Sequence, residues 1–205
     1  TRTNIQNGWF IINPVYEDDI VYGEVIPPNI SDVERDLVNV KLEESPTITA
    51  TVVDRDGLVA WAKIMYDVDS ISQTPIEMSS APGDSVWSGM IPAFSDSVFI
   101  SYYILAEDNE GNVSYSPTDT VSSRYFYKVL SRELMIQDVQ YSPFGRGYSG
   151  YHDMTVTVQG VVTADTSDIP GDGNSGAKVF IQNGIGEWSG ILLFGAQAEG
   201  LTRGD

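Results

Sequence analysis

Carboxylate oxygen is the abundant chemical resource of this chain. Over 205 residues, 29 acidic side chains face 11 basic ones, for a net charge of −18 and a pI near 4.1. The densest donor set lies in ADTSDIPGDGNSG, which holds Asp165, Asp168, Asp172 and Asn174. Calcium takes roughly six to eight oxygen ligands, and acidic, Gly-rich loops supply them in extracellular modules. These four residues are therefore candidate calcium ligands, and calcium is the one cofactor the composition suggests. The spacing is not that of an EF-hand, whose loop is closed by a bidentate Glu. Asp54 and Asp56 flank a second turn, and Glu107, Asp108, Asn109 and Asn112 a third. Asp and Asn are also the common formers of tight turns on a solvated surface, and spacing alone leaves both readings open.

Other chemistries find few parts. A nucleophilic triad needs a base beside the nucleophile, usually His. The single histidine, His152, lies in the polar, aromatic stretch YSGYHDM and reads as a surface-loop residue. With no cysteine, thiolate catalysis, disulfides and Cys-based zinc sites are excluded. No Gly-rich loop ends in Lys-Ser or Lys-Thr, so no phosphate cradle is present. The chain reads as non-catalytic, and any catalytic domain is expected outside it. Tyr141, Phe144, Tyr148 and Tyr151, with Arg146, could stack on a ligand, and Trp188 is a further ligand-binding candidate. The competing reading makes that loop a packed lid over the end of a barrel. Nucleic acid is disfavoured as a partner, because residues 131–205 carry nine acids and four bases, a net charge of −5 that repels phosphate.

The elements that must position these residues read as strands throughout. Thr47–Val53 alternates Ile48, Ala50 and Val52 on one face, and period two with β-branched residues marks a half-buried strand. Further strands are expected over 59–68, 76–80, 86–91, 98–106, 113–116 and 124–130, separated by turn clusters such as Asp54-Arg55-Asp56-Gly57 and Pro82-Gly83-Asp84. Seven short strands so spaced predict a β-sandwich over 29–130. In 131–205, strands are expected over 154–164, 178–182 and 187–194, with Trp188, Ile191 and Leu193 inward and a bend at Gly160. Short strands, glycine bends and no helical period point to a small antiparallel barrel. Residues 1–28 read as N-terminal strands or the tail of a preceding domain. Trp9-Phe10-Ile11-Ile12 and Ile20-Val21-Tyr22 are expected to be two strands joined at Asn13-Pro14, and Trp9–Ile12 is a candidate interaction strand, since exposed apolar strands pair readily with other sheets. No run of roughly 18 apolar residues exists, so no membrane span is expected.

Two resemblances sharpen this picture. The segments ITATVVDRDGLV, WSGMIP and YYILAEDNEGNVSYSP resemble Ig-like or fibronectin-III-like modules of secreted multidomain proteins from Bacteroidetes and related bacteria, many of them similar to type IX secretion cargo. The segments VTVQGVVTA, VFIQNG and EWSGILL resemble OB-fold modules found beside the catalytic domain of secreted bacterial nucleases. The expected architecture is thus all-β: an Ig-like β-sandwich followed by a small OB-like β-barrel. In the second family the Gly-Asp after Leu opens a further strand, so the barrel is expected to be incomplete at Gly204-Asp205 and finished from outside the chain.

The resemblances imply a bacterial extracellular or cell-surface setting and a structural or adhesive segment. Its expected partners are other copies of itself or neighbouring domains, joined by strand addition into larger arrays. Two alternatives stand beside it: an accessory region of a secreted nuclease or other hydrolase, and a carbohydrate-binding module using the Tyr-rich loop and Trp188.

Overall fold

The computed structural model describes residues 26–145, 147–168 and 176–205 in full, and 4–6 and 9–11, with Gln197, by backbone alone. The chain is all-β apart from short helical turns. β1 (Asn4–Gln6) and β2 (Trp9–Ile11) form an antiparallel hairpin with Gln6 opposite Trp9. Trp9–Ile11 therefore pairs with the segment before it. The Asn-Gly pair between the two strands is a strong hairpin signal. Ile12 and Ile20–Tyr22 lie outside the described residues.

The next nine strands build a two-sheet sandwich. One sheet runs β3 (Asn29–Arg35), β4 (Thr47–Val53), β8 (Val86–Met90). The other centres on β5 (Val59–Val68) and β9 (Phe99–Asp108), paired antiparallel along nearly their full length. β6 (Ile71–Ser72) and β7 (Ile76–Glu77) share the outer edge of β5, while β10 (Val113–Ser116) and β11 (Tyr125–Lys128) share the outer edge of β9. The predicted alternation holds: Ile48, Ala50 and Val52 of β4 meet Ala62 and Ile64 of β5 and Ile104 and Ala106 of β9 in one core. In β5 the inward register falls on Ala62, not Trp61. β3 carries a bulge between Ser31 and Glu34, where Asp32 takes a left-handed φ of 48°.

The remaining chain differs from the expected barrel. It opens with a short helix, α1 (Ile136–Gln140), whose Asp138 carboxylate accepts the Met135 N–H at the helix start (3.0 Å). Five residues are too few to print a helical period on the sequence. β12 (Val161–Ala164), β13 (Lys178–Gln182) and β14 (Gly190–Phe194) then form an open three-stranded antiparallel sheet, and no closed barrel occurs among the described residues. The long strand expected over 154–164 shortens to its last four residues. Met154, Val156 and Val158 still alternate inward, but 154–160 carries no ladder. The close packing at residue 160 requires glycine, because a Cβ would lie 2.9 Å from Ile136 Cδ1 and 3.0 Å from the Gln182 carbonyl oxygen. Ile136, Val162, Val179, Ile181 and Ala198 make a second, smaller core, with Ala198 brought in by a 3-10 turn over Gly195–Ala198. Ile191 and Leu193 turn inward as expected. Trp188 does not: it sits 48% exposed in the turn before β14, with φ 64°. Residues 202–205 fold back on β12, with Gly204 N–H donating to the Val162 carbonyl and Val162 N–H to that of Asp205. Among the described residues no helix is long and apolar enough to cross a membrane.

Candidate ligand cleft where the two halves meet

The sandwich and the C-terminal sheet are joined through side chains that the linear sequence scatters. Arg35, at the end of β3, is 6% exposed although it is a cation. Its guanidinium donates to the carbonyls of Leu37, Val38 and Phe126 (2.6, 3.1 and 3.3 Å) and lies over the rings of Tyr127 and Tyr151 (4.8 and 5.6 Å to centroid). Carbonyl oxygens and aromatic faces thus replace the carboxylate that usually compensates a buried cation. Burial pushes the Tyr151 hydroxyl up to about 12 and the Tyr127 hydroxyl higher still, with the Arg35 charge opposing in both.

Asp138 on α1 is the matching buried anion, 2% exposed. Arg132 donates to both its oxygens (2.6 and 3.2 Å), and Lys128 from β11 reaches it at 3.3 Å. Desolvation works to raise the Asp138 pKa. The Arg132 hydrogen bonds, the Met135 N–H and the charges of Arg132 and Lys128 outweigh it and hold the carboxyl below the usual range. Aromatic rings close the joint. Tyr141 meets Phe99 and Phe126 edge-on (6.1 and 6.2 Å), Phe144 tilts against Phe126 (5.7 Å), and Lys128 Nζ lies 4.3 Å from the Tyr141 ring centre.

Beside this joint opens a cleft of about 730 Å3. Its walls are the bulged part of β3, the Ser123–Phe126 stretch leading into β11, and the loop from Tyr148 to Met154. The loop is held by its own bonds, Ser149 Oγ–H to the Val139 carbonyl and Tyr151 N–H to Ser149 Oγ. It can approach β11 only because residue 150 is glycine, where a Cβ would lie 2.5 Å from the Phe126 carbonyl oxygen. Gly150→Ala is expected to lower stability by about 1–3 kcal/mol and to open the loop to limited proteolysis. Gly145→Ala in the same segment, where the nearest atom to a Cβ is 3.9 Å away, is expected to do neither.

The candidate binding residues are divided by this arrangement. Tyr141 and Phe144 are spent on the joint with the sandwich rather than on a lid over the C-terminal sheet, and Tyr151 is buried beneath Arg35. Tyr148 faces the cleft at 56% exposure, its ring 5.1 Å from that of His152. Trp188 belongs instead to the β13–β14 turn, and Arg146 lies outside the described residues. Of the proposed calcium ligands, Asp165 accepts from Ser167 N–H and Oγ–H and from Arg203 N–H, and Asp168 pairs with Arg203 and accepts the Asp165 N–H. Each carboxyl is held low first by a side-chain partner, Ser167 for Asp165 and Arg203 for Asp168. Asp172 and Asn174 lie outside the described residues. Among the described residues no three His, Asp or Glu side chains converge to hold a metal ion. Arg35 and Asp138 escaped the sequence reading, since nothing in their local context marks either as buried.

No protein-family model and no curated protein matches the sequence. Among solved structures, an uncharacterized protein from Listeria monocytogenes EGD-e, in complex with alpha-D-glucose, beta-D-glucose, magnesium and calcium, superposes with a TM-score of 0.39 at 15% identity, over 87% of this chain and 13% of that one. The cycloalternan-forming enzyme from Listeria monocytogenes, in complex with a pentasaccharide substrate, superposes with a TM-score of 0.38 at 13% identity, over 93% of this chain and 16% of that one.

Proposed function

We propose that the chain is a non-catalytic structural or adhesive segment of a secreted or cell-surface bacterial multidomain protein, with an Ig-like sandwich rigidly coupled to the small C-terminal sheet. The observation that carries this reading is the joint itself. Neighbouring domains are expected to move relative to each other unless their interface is extensive and specific. Here a buried Arg35, a buried Asp138 and an aromatic cluster tie the halves together with fixed geometry. Such a unit sets the distance and orientation between whatever precedes and follows it. The net charge of −18 suits a solvated exterior setting. Neighbouring domains or further copies of the chain are the partners this role requires.

Small-angle X-ray scattering tests the reading. A single rigid particle is expected to fit the data for residues 26–205 from low to high salt. A profile that requires freely reorienting halves would remove the spacer role.

A further inference from the structure

The geometry points to the cleft between β3, β11 and the Tyr148–Met154 loop as a binding site for a neutral saccharide chain. Its volume, about 730 Å3, lies within the roughly 300–1,000 Å3 typical of small-molecule sites. Such sites favour the seam between packed units, where this cleft lies. A β-bulge commonly re-aims a side chain toward a functional site. The β3 bulge, with Asp32 in the left-handed region, puts Asp32 on the cleft wall.

The chemistry of the lining selects the ligand class. Two guanidinium groups line the cleft, Arg124 and Arg35, the latter contributing chiefly its charge because its N–H groups already serve the Leu37, Val38 and Phe126 carbonyls. Tyr102 lines it too, its hydroxyl kept protonated by burial with a pKa pushed up to about 12. Arg124 is partly committed to Asp67 and Ser101, but its Nε–H is buried without a partner. Asp32, Glu34 and Asp153 line the same cleft as acceptors. A bare anion would meet three carboxylates, and a bare cation would meet two guanidinium groups. A neutral molecule bearing many hydroxyls can donate to the first set and accept from the second, and hydrogen bonds to charged groups are the stronger ones. Tyr148 and His152 add an exposed aromatic wall. The apolar C–H face of a pyranose ring packs against such a surface, as an apolar body does beside a wet, polar rim. This site is independent of the spacer role.

The test is an array of neutral and acidic glycans probed with labelled protein, followed by calorimetric titration of the best neutral oligosaccharide. Neutral glycans are expected to be retained in preference to acidic ones. Tyr148→Ala and Asp32→Asn are each expected to weaken binding about tenfold, and Trp188→Ala to leave it unchanged. Tyr148 is exposed enough that its truncation leaves the fold intact, and equal melting temperatures check this. The proposal is overturned if no neutral glycan is retained, if acidic glycans bind better, or if Tyr148→Ala binds like the parent.

Discussion

Arg35→Ala is expected to destabilise the protein by about 3–5 kcal/mol and to loosen the two halves. Three carbonyls, those of Leu37, Val38 and Phe126, lose their donor together. Leaving a buried polar group unpaired costs roughly 1–3 kcal/mol each where water cannot enter, and here the adjoining cleft lets some water in. The cation–π contacts with Tyr127 and Tyr151 add roughly 1–2 kcal/mol at a desolvated site. Arg35→Met keeps much of the packing and is expected to cost less. Arg35→Lys keeps the charge but not the planar fork, and is expected to recover less than half of the loss. Urea unfolding measures the ladder of effects, and scattering from the alanine variant should show a more extended particle. Equal stability of the Ala and parent proteins would mean that Arg35 is a bystander at the joint.

Asp138→Asn probes the other buried charge. Removing one member of a buried ion pair typically costs about 3–5 kcal/mol. Arg132 and Lys128 keep partial contact with water, with side chains 46% and 28% exposed, so about 2–3 kcal/mol is expected here. For a chain of this size that is a fall in Tm of about 5–10 °C. The effect should depend on pH in one direction. The folded-state pKa of Asp138 lies below its ordinary value of 3.8, so the unfolded chain takes up the proton first as pH falls. The stabilisation is therefore complete above that ordinary value and is lost as pH drops through the folded pKa. The gap in stability between parent and variant should be widest near neutrality and close below pH 3.8. A gap that stays constant down to pH 2 would show that packing, not charge, is what Asp138 contributes.

Much of the sandwich was legible because its signals are local. The alternation in Thr47–Val53 and the turn residues after it place a strand and end it without reference to anything else in the chain. The same holds for Val113–Ser116, found where the pattern put it. The C-terminal third was legible only in part. Its alternation at Val156 and Val158 correctly marked an inward face, but alternation reports burial and not a ladder, and that run has none. Trp188 looked like core because large aromatics usually are. Its backbone takes a left-handed turn at φ 64°, which sends the ring outward and which no periodicity announces.

By itself, then, the sequence determined an all-β chain with an acidic surface, no thiol chemistry and a single histidine, because composition and period two are properties of short windows. Tertiary structure alone decided which charges are buried and where a cleft opens. Arg35 finds Phe126 and Met154 at separations of 91 and 119 residues, and the cleft draws its walls from three distant segments. The Tyr-rich loop shows the division most plainly. Its residue types were visible from the start, yet only packing against Phe99 and Phe126 separates Tyr141 and Phe144, which hold the halves together, from Tyr148, which is left facing the cleft.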